Sequence, residues 1–157
     1  MKNTIYLLFT FMILASLSSC KKDKTETPKN CTGQWQGTMS LSSESFGMSL
    51  TLVQNGSALT GSFISDDESV YGVLNGSSQV KSGKVDIYFS QTDESGTFSF
   101  HFTGTVNSTM DEMSGVYYVN GYELGGWSAS KSSTKAAVNH NQSYLTNLRN
   151  TLSKKTE

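Results

Sequence analysis

Proline occurs once in the 157 residues, cysteine twice and histidine twice. No apolar run reaches the about 20 residues that a bilayer-spanning helix needs. Two cysteines are too few for a disulfide scaffold or a thiolate metal centre. Two histidines, with no nucleophile elbow and no paired-carboxylate spacing, leave nothing that reads as a catalytic motif, and no enzyme is expected. Positive charge is not in excess: 12 Lys+Arg stand against 13 Asp+Glu, a net charge of -1. That balance excludes the basic, phosphate-neutralising face of a nucleic-acid binder. No cofactor motif is present, and Asp66-Asp67-Glu68 lacks the spaced oxygen ligands and turn glycine of a calcium loop, so no cofactor or metal is expected. The length suits one domain of ordinary size.

The N-terminus is patterned as an address. Lys2 supplies a positive start, and Ile5 to Ala15 form an apolar run of signal-peptide length. Leu17-Ser18-Ser19-Cys20 then resembles the lipobox of bacterial lipoproteins, with an aliphatic residue and two small ones before the cysteine. The resemblance implies a signal peptide over 1–19, lipidation of Cys20 and a membrane partner reached through that lipid. Each buried CH₂ of the acyl chains contributes about 0.8 kcal/mol. It also implies a cell-envelope location, the outer membrane of a Gram-negative bacterium, with the periplasmic or surface face left open. Cys31 is then a free thiol; a Cys20–Cys31 disulfide belongs to the alternative, an ordinary secretory signal. Residues 20–31 read as a tether: Lys21 to Asn30 hold four Lys, Asp23, Glu26 and the only Pro, with no apolar side chain.

From Gly33 to Ser130 apolar residues recur at every second position, the period of a strand. Eight segments carry the pattern: Trp35, Met39 and Leu41; Met48, Leu50 and Leu52; Leu59 and Phe63; Leu74 and Val80; Val85, Ile87 and Phe89; Phe98 to Val106; Met113, Tyr117 and Val119; Trp127 and Ala129. Hairpin signals stand at Asn55-Gly56, Ser82-Gly83 and Asn120-Gly121. Short turns demand antiparallel neighbours. A sheet with one apolar face and no second layer covers that face by closing on itself. The predicted fold is therefore all-β, an eight-stranded antiparallel up-and-down barrel over 32–131, with two stacked sheets as the alternative. Inward glycines at Gly61, Gly76, Gly104 and Gly115 read as strand corners.

Gly33-Gln34-Trp35 at the start of the first strand and Trp127-Ser128-Ala129-Ser130-Lys131 at the end of the last look like calycin barrels, the group of lipocalins, fatty-acid-binding proteins and avidins. The resemblance implies that Trp35 plugs one barrel end and Lys131 lies across it, in place of the usual Arg; such a contact contributes about 0.5–2 kcal/mol. The lipocalin Thr-Asp-Tyr signature is absent, and Gly37 and Thr38-Met39 stand where avidins carry their Asn and Gly-Ser, so biotin has no residue-level support. Phe63, Phe89, Phe98, Phe100, Phe102, Tyr117, Met48 and Met113 are the candidate interior, either lining a cavity for a small apolar ligand or filling it.

Charge separates along the chain. Residues 33–130 hold two lysines against ten carboxylates, a net -8, between basic flanks. In an up-and-down barrel the loops opposite the chain ends carry Glu44, Asp66, Asp67, Glu68, Asp93, Glu94 and Glu123, an acidic rim able to attract a cationic envelope protein or simply to keep the domain soluble. His101 falls on the outer face and reads as a bystander; His140 lies in the tail. In the tail, 132–157, Val138, Leu145, Leu148 and Leu152 take helical spacing, predicting one amphipathic helix packed on the barrel flank with basic Lys154 and Lys155 in its last turn. Two functional readings follow. The first is a membrane-anchored barrel that binds a small apolar ligand; the second is a packed barrel that binds or inhibits an envelope protein through its rim.

Overall fold

The structure, a computed structural model, describes residues 29–132 and 144–156. Cys20 with the signal peptide and most of the tether, and Val138 and His140 in the tail, lie outside the described residues. The alternating sequence forms nine strands: β1 (Gly33–Leu41), β2 (Glu44–Asn55), β3 (Ala58–Ser65), β4 (Tyr71–Val73), β5 (Gln79–Lys81), β6 (Lys84–Asp93), β7 (Gly96–Val106), β8 (Glu112–Val119) and β9 (Tyr122–Ser132). One helix, α1 (Tyr144–Lys155), follows.

Every pairing is antiparallel, and the order β2-β1-β9-β8-β7-β6-β5-β3 returns to its start through β2–β3. The first and last strands pair from Gln34↔Ser132 to Met39↔Trp127, which closes the ring. The fold is thus a closed eight-strand barrel and not two stacked sheets. Closure removes the sheet edges that a meander would otherwise expose.

The eighth position in the ring is shared. The segment expected as a single fourth strand is two short ones: β4 pairs with β3 from Ser62↔Val73 to Ile64↔Tyr71, while β5 pairs with β6 and meets β3 only at Ala58↔Gln79. Asn75-Gly76-Ser77 breaks the strand, because the Asn75 carboxamide accepts the Ser77 amide and its carbonyl accepts the Ser78 amide. Local bonds of this kind compete with a ladder. Gly76 accordingly faces open space and is not a corner.

Gly104 and Gly115 do mark a corner. They oppose each other across β7 and β8, and a Cβ on either would run into the neighbouring strand's carbonyl, that of Ser114 or Thr103. Ser82-Gly83 and Asn120-Gly121 turn with both residues at positive φ, the pattern of a type I′ hairpin. At Asn55-Gly56 only Gly56 is positive, at 61°, and Asn55 still pairs with Ala58, so the turn is Gly56-Ser57, one residue later than its dipeptide signal.

The helix is not on the flank. It lies across the end of the barrel made by loops β1–β2, β3–β4, β6–β7 and β8–β9, touching all four. Tyr144, Leu148 and Leu152, four residues apart, are its buried face, and Leu145 is only half-buried. The reason is chemical: the apolar stripe needs an apolar surface, and Phe46 at the barrel end packs edge-on against Tyr144, with ring centroids 5.0 Å apart. The first turn is capped in trans, with the Tyr144 amide donating to Asp67 and the Leu145 amide to Ser69 Oγ. Both would otherwise be orphan donors.

Candidate binding interior and its closures

All eight candidate interior residues are buried. The structure brings five of them into one column. Phe89 stacks on Phe63 and on Phe100, each with ring centroids 4.6 Å apart, and Phe63 leans on Phe102 at 5.3 Å. Phe102 stacks on Tyr117 at 5.2 Å and meets Trp127 edge-on at 5.6 Å. Aromatic pairs of this geometry add about 0.5–1.5 kcal/mol each beyond area burial. Phe98, Met48 and Met113 line the same interior without entering the stack.

The column has one polar end, beneath α1. Tyr144 Oη donates to Tyr117 Oη at 3.1 Å, and Tyr117 Oη donates onward to the Ser40 carbonyl at 2.8 Å. Burial pushes the Tyr117 hydroxyl up to about 12, with the bond from Tyr144 pulling slightly the other way. Tyr144 is raised further, by burial and then by its proximity to Tyr117. Both are therefore neutral donors at any physiological pH.

The opposite end is closed by Trp35, fully buried, whose indole Nε1 donates to the Cys31 carbonyl at 2.8 Å. Lys131 Nζ stands 5.5 Å from the Trp35 ring centroid and also donates to the Asn30 carbonyl. Cys31 is a buried free thiol with its Sγ 3.9 Å from Met110 Sδ. Burial raises its pKa, the Lys131 charge opposing, so the thiol is protonated and poorly nucleophilic.

The acidic rim is partly occupied by the helix. Asp67 accepts from Ser65, Ser69 and the Tyr144 amide; burial would raise its carboxyl, yet these bonds hold it below the usual carboxylate range. Asp66 beside it is raised, by burial first and then by the Asp67 charge. Asp93 takes Ser95 and the Arg149 guanidinium, which together lower it; Glu44 takes Asn147, and the Glu123 carbonyl takes Lys155. Glu68 and Glu94 remain exposed. Three of the seven rim carboxylates, Glu44, Asp67 and Asp93, thus seat the helix, Asp93 in an ion pair with Arg149.

Two features are not legible in the sequence pattern. The leucine spacing through Leu145 conceals Tyr144, which shares the buried 144/148/152 face. Gln91 and Ser78, buried polar side chains, bond across the strand break; their inward positions in an apolar pattern were the available signal. His101 lies on the outer face, as its place in the alternation predicts, stacked on Tyr88 at 4.1 Å, 5.7 Å from Tyr118, and 3.1 Å from Asp86. Groups of three or more potential metal ligands are absent among the described residues. In comparison with known proteins, no family model, no curated protein and no solved structure matches the chain.

Proposed function

We propose that this protein is an envelope lipoprotein, anchored through Cys20, whose calycin-like barrel binds one small apolar molecule in its aromatic column. The observation that carries this reading is the column itself: a closed barrel lined by contiguous rings and ending in two neutral tyrosine hydroxyls. Such an interior is complementary to a slender molecule with a long apolar part and one hydrogen-bonding end. Because the rings touch, the ligand takes the space of a ring that turns aside. Native mass spectrometry of the protein, gently extracted from its membrane, tests the reading. One adduct of constant mass per chain is the expected result; chains that stay empty in the presence of extracted lipids would overturn it.

The ring contacts at 4.6 Å also favour a second reading, a barrel filled by its own side chains that binds an envelope protein. On that reading Asp66, Glu68 and Glu94 are the rim residues left for a cationic partner, since Asp67 and Asp93 hold α1. Charge reversal at Glu68 and Glu94 then abolishes capture of the partner without altering the melting temperature.

A further inference from the structure

The ends of the barrel are both covered, one by Trp35 under Lys131 and the other by α1. A ligand therefore needs another way in, and the wall has one weak place. Among the described residues no backbone ladder joins β4 to β6, although the two strands lie side by side. Just beyond β4 one backbone bond crosses to β6, from the Asn75 amide to the Tyr88 carbonyl at 2.8 Å, and side chains do the rest of the joining. Gln91 Oε1 accepts the Tyr71 amide at 3.1 Å, and Gln91 Nε2 donates to the Ser69 carbonyl at 3.0 Å. Farther along, Ser78 Oγ accepts the Tyr88 amide at 2.9 Å and donates to the Tyr88 carbonyl at 3.2 Å.

Two further observations fall on the same seam. Inside, Gly72 presents no side chain to the interior, and a Cβ there would press into the Phe89 ring, the central ring of the column. Outside, Val73 is 75% exposed and Tyr71 59%, the two most exposed large apolar side chains among the described residues. Tyr71 lies opposite Ile64 of β3, itself exposed, so the two strands present a contiguous apolar patch outward. The weakest backbone pairing, the thinnest wall and the most exposed apolar pair thus coincide.

We propose that the β4–β6 seam is the entry site of the barrel, through which a single-chain amphiphile passes from the apolar pair Tyr71 and Val73 into the space vacated by Phe89. Slenderness follows from the gap, which is one missing ladder wide. Lack of charge on the inserted part follows from the seam's own chemistry, since its lining is apolar side chains, an amide and serine hydroxyls. A bound chain replaces the Phe89 contacts, and the polar stitches of Gln91 reform behind it. This inference rests on the ligand-binding reading above.

Stopped-flow fluorescence with N-phenyl-1-naphthylamine, an uncharged apolar probe, tests it on the full chain. The expected result is saturable binding whose association slows several-fold in Val73→Asp and Tyr71→Asp. Both positions are exposed, so the melting temperature holds. Gln91→Leu, which removes two stitches, raises association and dissociation rates together and leaves the affinity within about twofold. Arg149→Glu, which loosens α1, leaves the rates as in the wild type. Rates that respond to Arg149→Glu and not to Val73→Asp or Tyr71→Asp overturn the seam and put entry under the helix, with the ligand-binding reading intact. If Gln91→Leu fails to fold, the two aspartate variants carry the comparison. No saturable binding to the wild-type chain overturns both the reading and the entry site.

Discussion

The smallest side chains set the shape of the wall, and the hydroxyl of one tyrosine sets its polar end. Gly115 faces Gly104 across β7 and β8, and a methyl group there meets the Thr103 carbonyl. Gly115→Ala is expected to lower stability by about 1–3 kcal/mol, the cost of overpacking, read as an earlier urea midpoint with an unchanged slope. Tyr117→Phe keeps the ring in the column but strands the Ser40 carbonyl and the Tyr144 hydroxyl. A loss of about 1–3 kcal/mol is expected from the unpaired groups, with the aromatic near-ultraviolet signal preserved. At this scale the sequence was informative wherever one face decided a residue's fate. Trp35, Phe63, Phe89, Phe102 and Tyr117 keep the two-residue period of the inward face, and all are buried. It was silent on Gln91 and Ser78, because an inward polar side chain reveals its purpose only when the groups it bonds are in view.

Elements differ in how they are held. Most strands are held by ladders, whereas the helix has no backbone-to-backbone ladder and docks through bonds in which one partner is a side chain. Leu148 is fully buried between α1 and the barrel end, so Leu148→Ala is expected to cost about 2–4 kcal/mol, felt mainly by the docking of α1. Hydrogen exchange should then quicken through Tyr144–Lys155 while β7 and β8 keep their protection. Acid acts on the same contact. The folded carboxyls of Asp67 and Asp93 lie below their ordinary values, so the stabilisation they supply is complete above the unfolded value of about 3.9 and disappears as pH falls through the folded values. Asp66, raised, acts in the opposite sense and relaxes as it protonates. The helix should therefore come off in acid before the barrel opens, and Asp67→Asn should flatten that step in a pH titration of far-ultraviolet circular dichroism. The existence of α1 was legible from its spacing. Its seat was not, because an amphipathic stripe states that a helix must dock but not on which surface.

The molecule as a whole is joined by its first and last strands. Trp35 on β1 pairs in register with Lys131 on β9 and plugs the end at which they meet. Trp35→Ala is expected to cost about 3–5 kcal/mol and to unfold barrel and helix in one transition, whereas Leu148→Ala loosens only the helix. Coincidence of tryptophan fluorescence from Trp127 with circular dichroism during thermal unfolding measures the difference. Closing a ring between strands so far apart in sequence also makes folding slow for the chain's size, on the order of milliseconds to seconds, as refolding by dilution would record.

The sequence by itself determined the strand period, the count of eight positions around the ring, the antiparallel order, the apolar interior and the charge contrast between barrel and flanks. These are local properties: a two-residue period, a glycine in a turn and a hydrophobic face act over a few residues and survive any arrangement of the rest. Only the tertiary structure decided that the rings form one touching column, that α1 sits on the acidic end and engages part of it, and that the eighth position is split and stitched by Gln91 and Ser78. Each of those depends on which distant groups come within a few ångströms of one another. Closure of the barrel sets those distances, and no residue's pattern contains them.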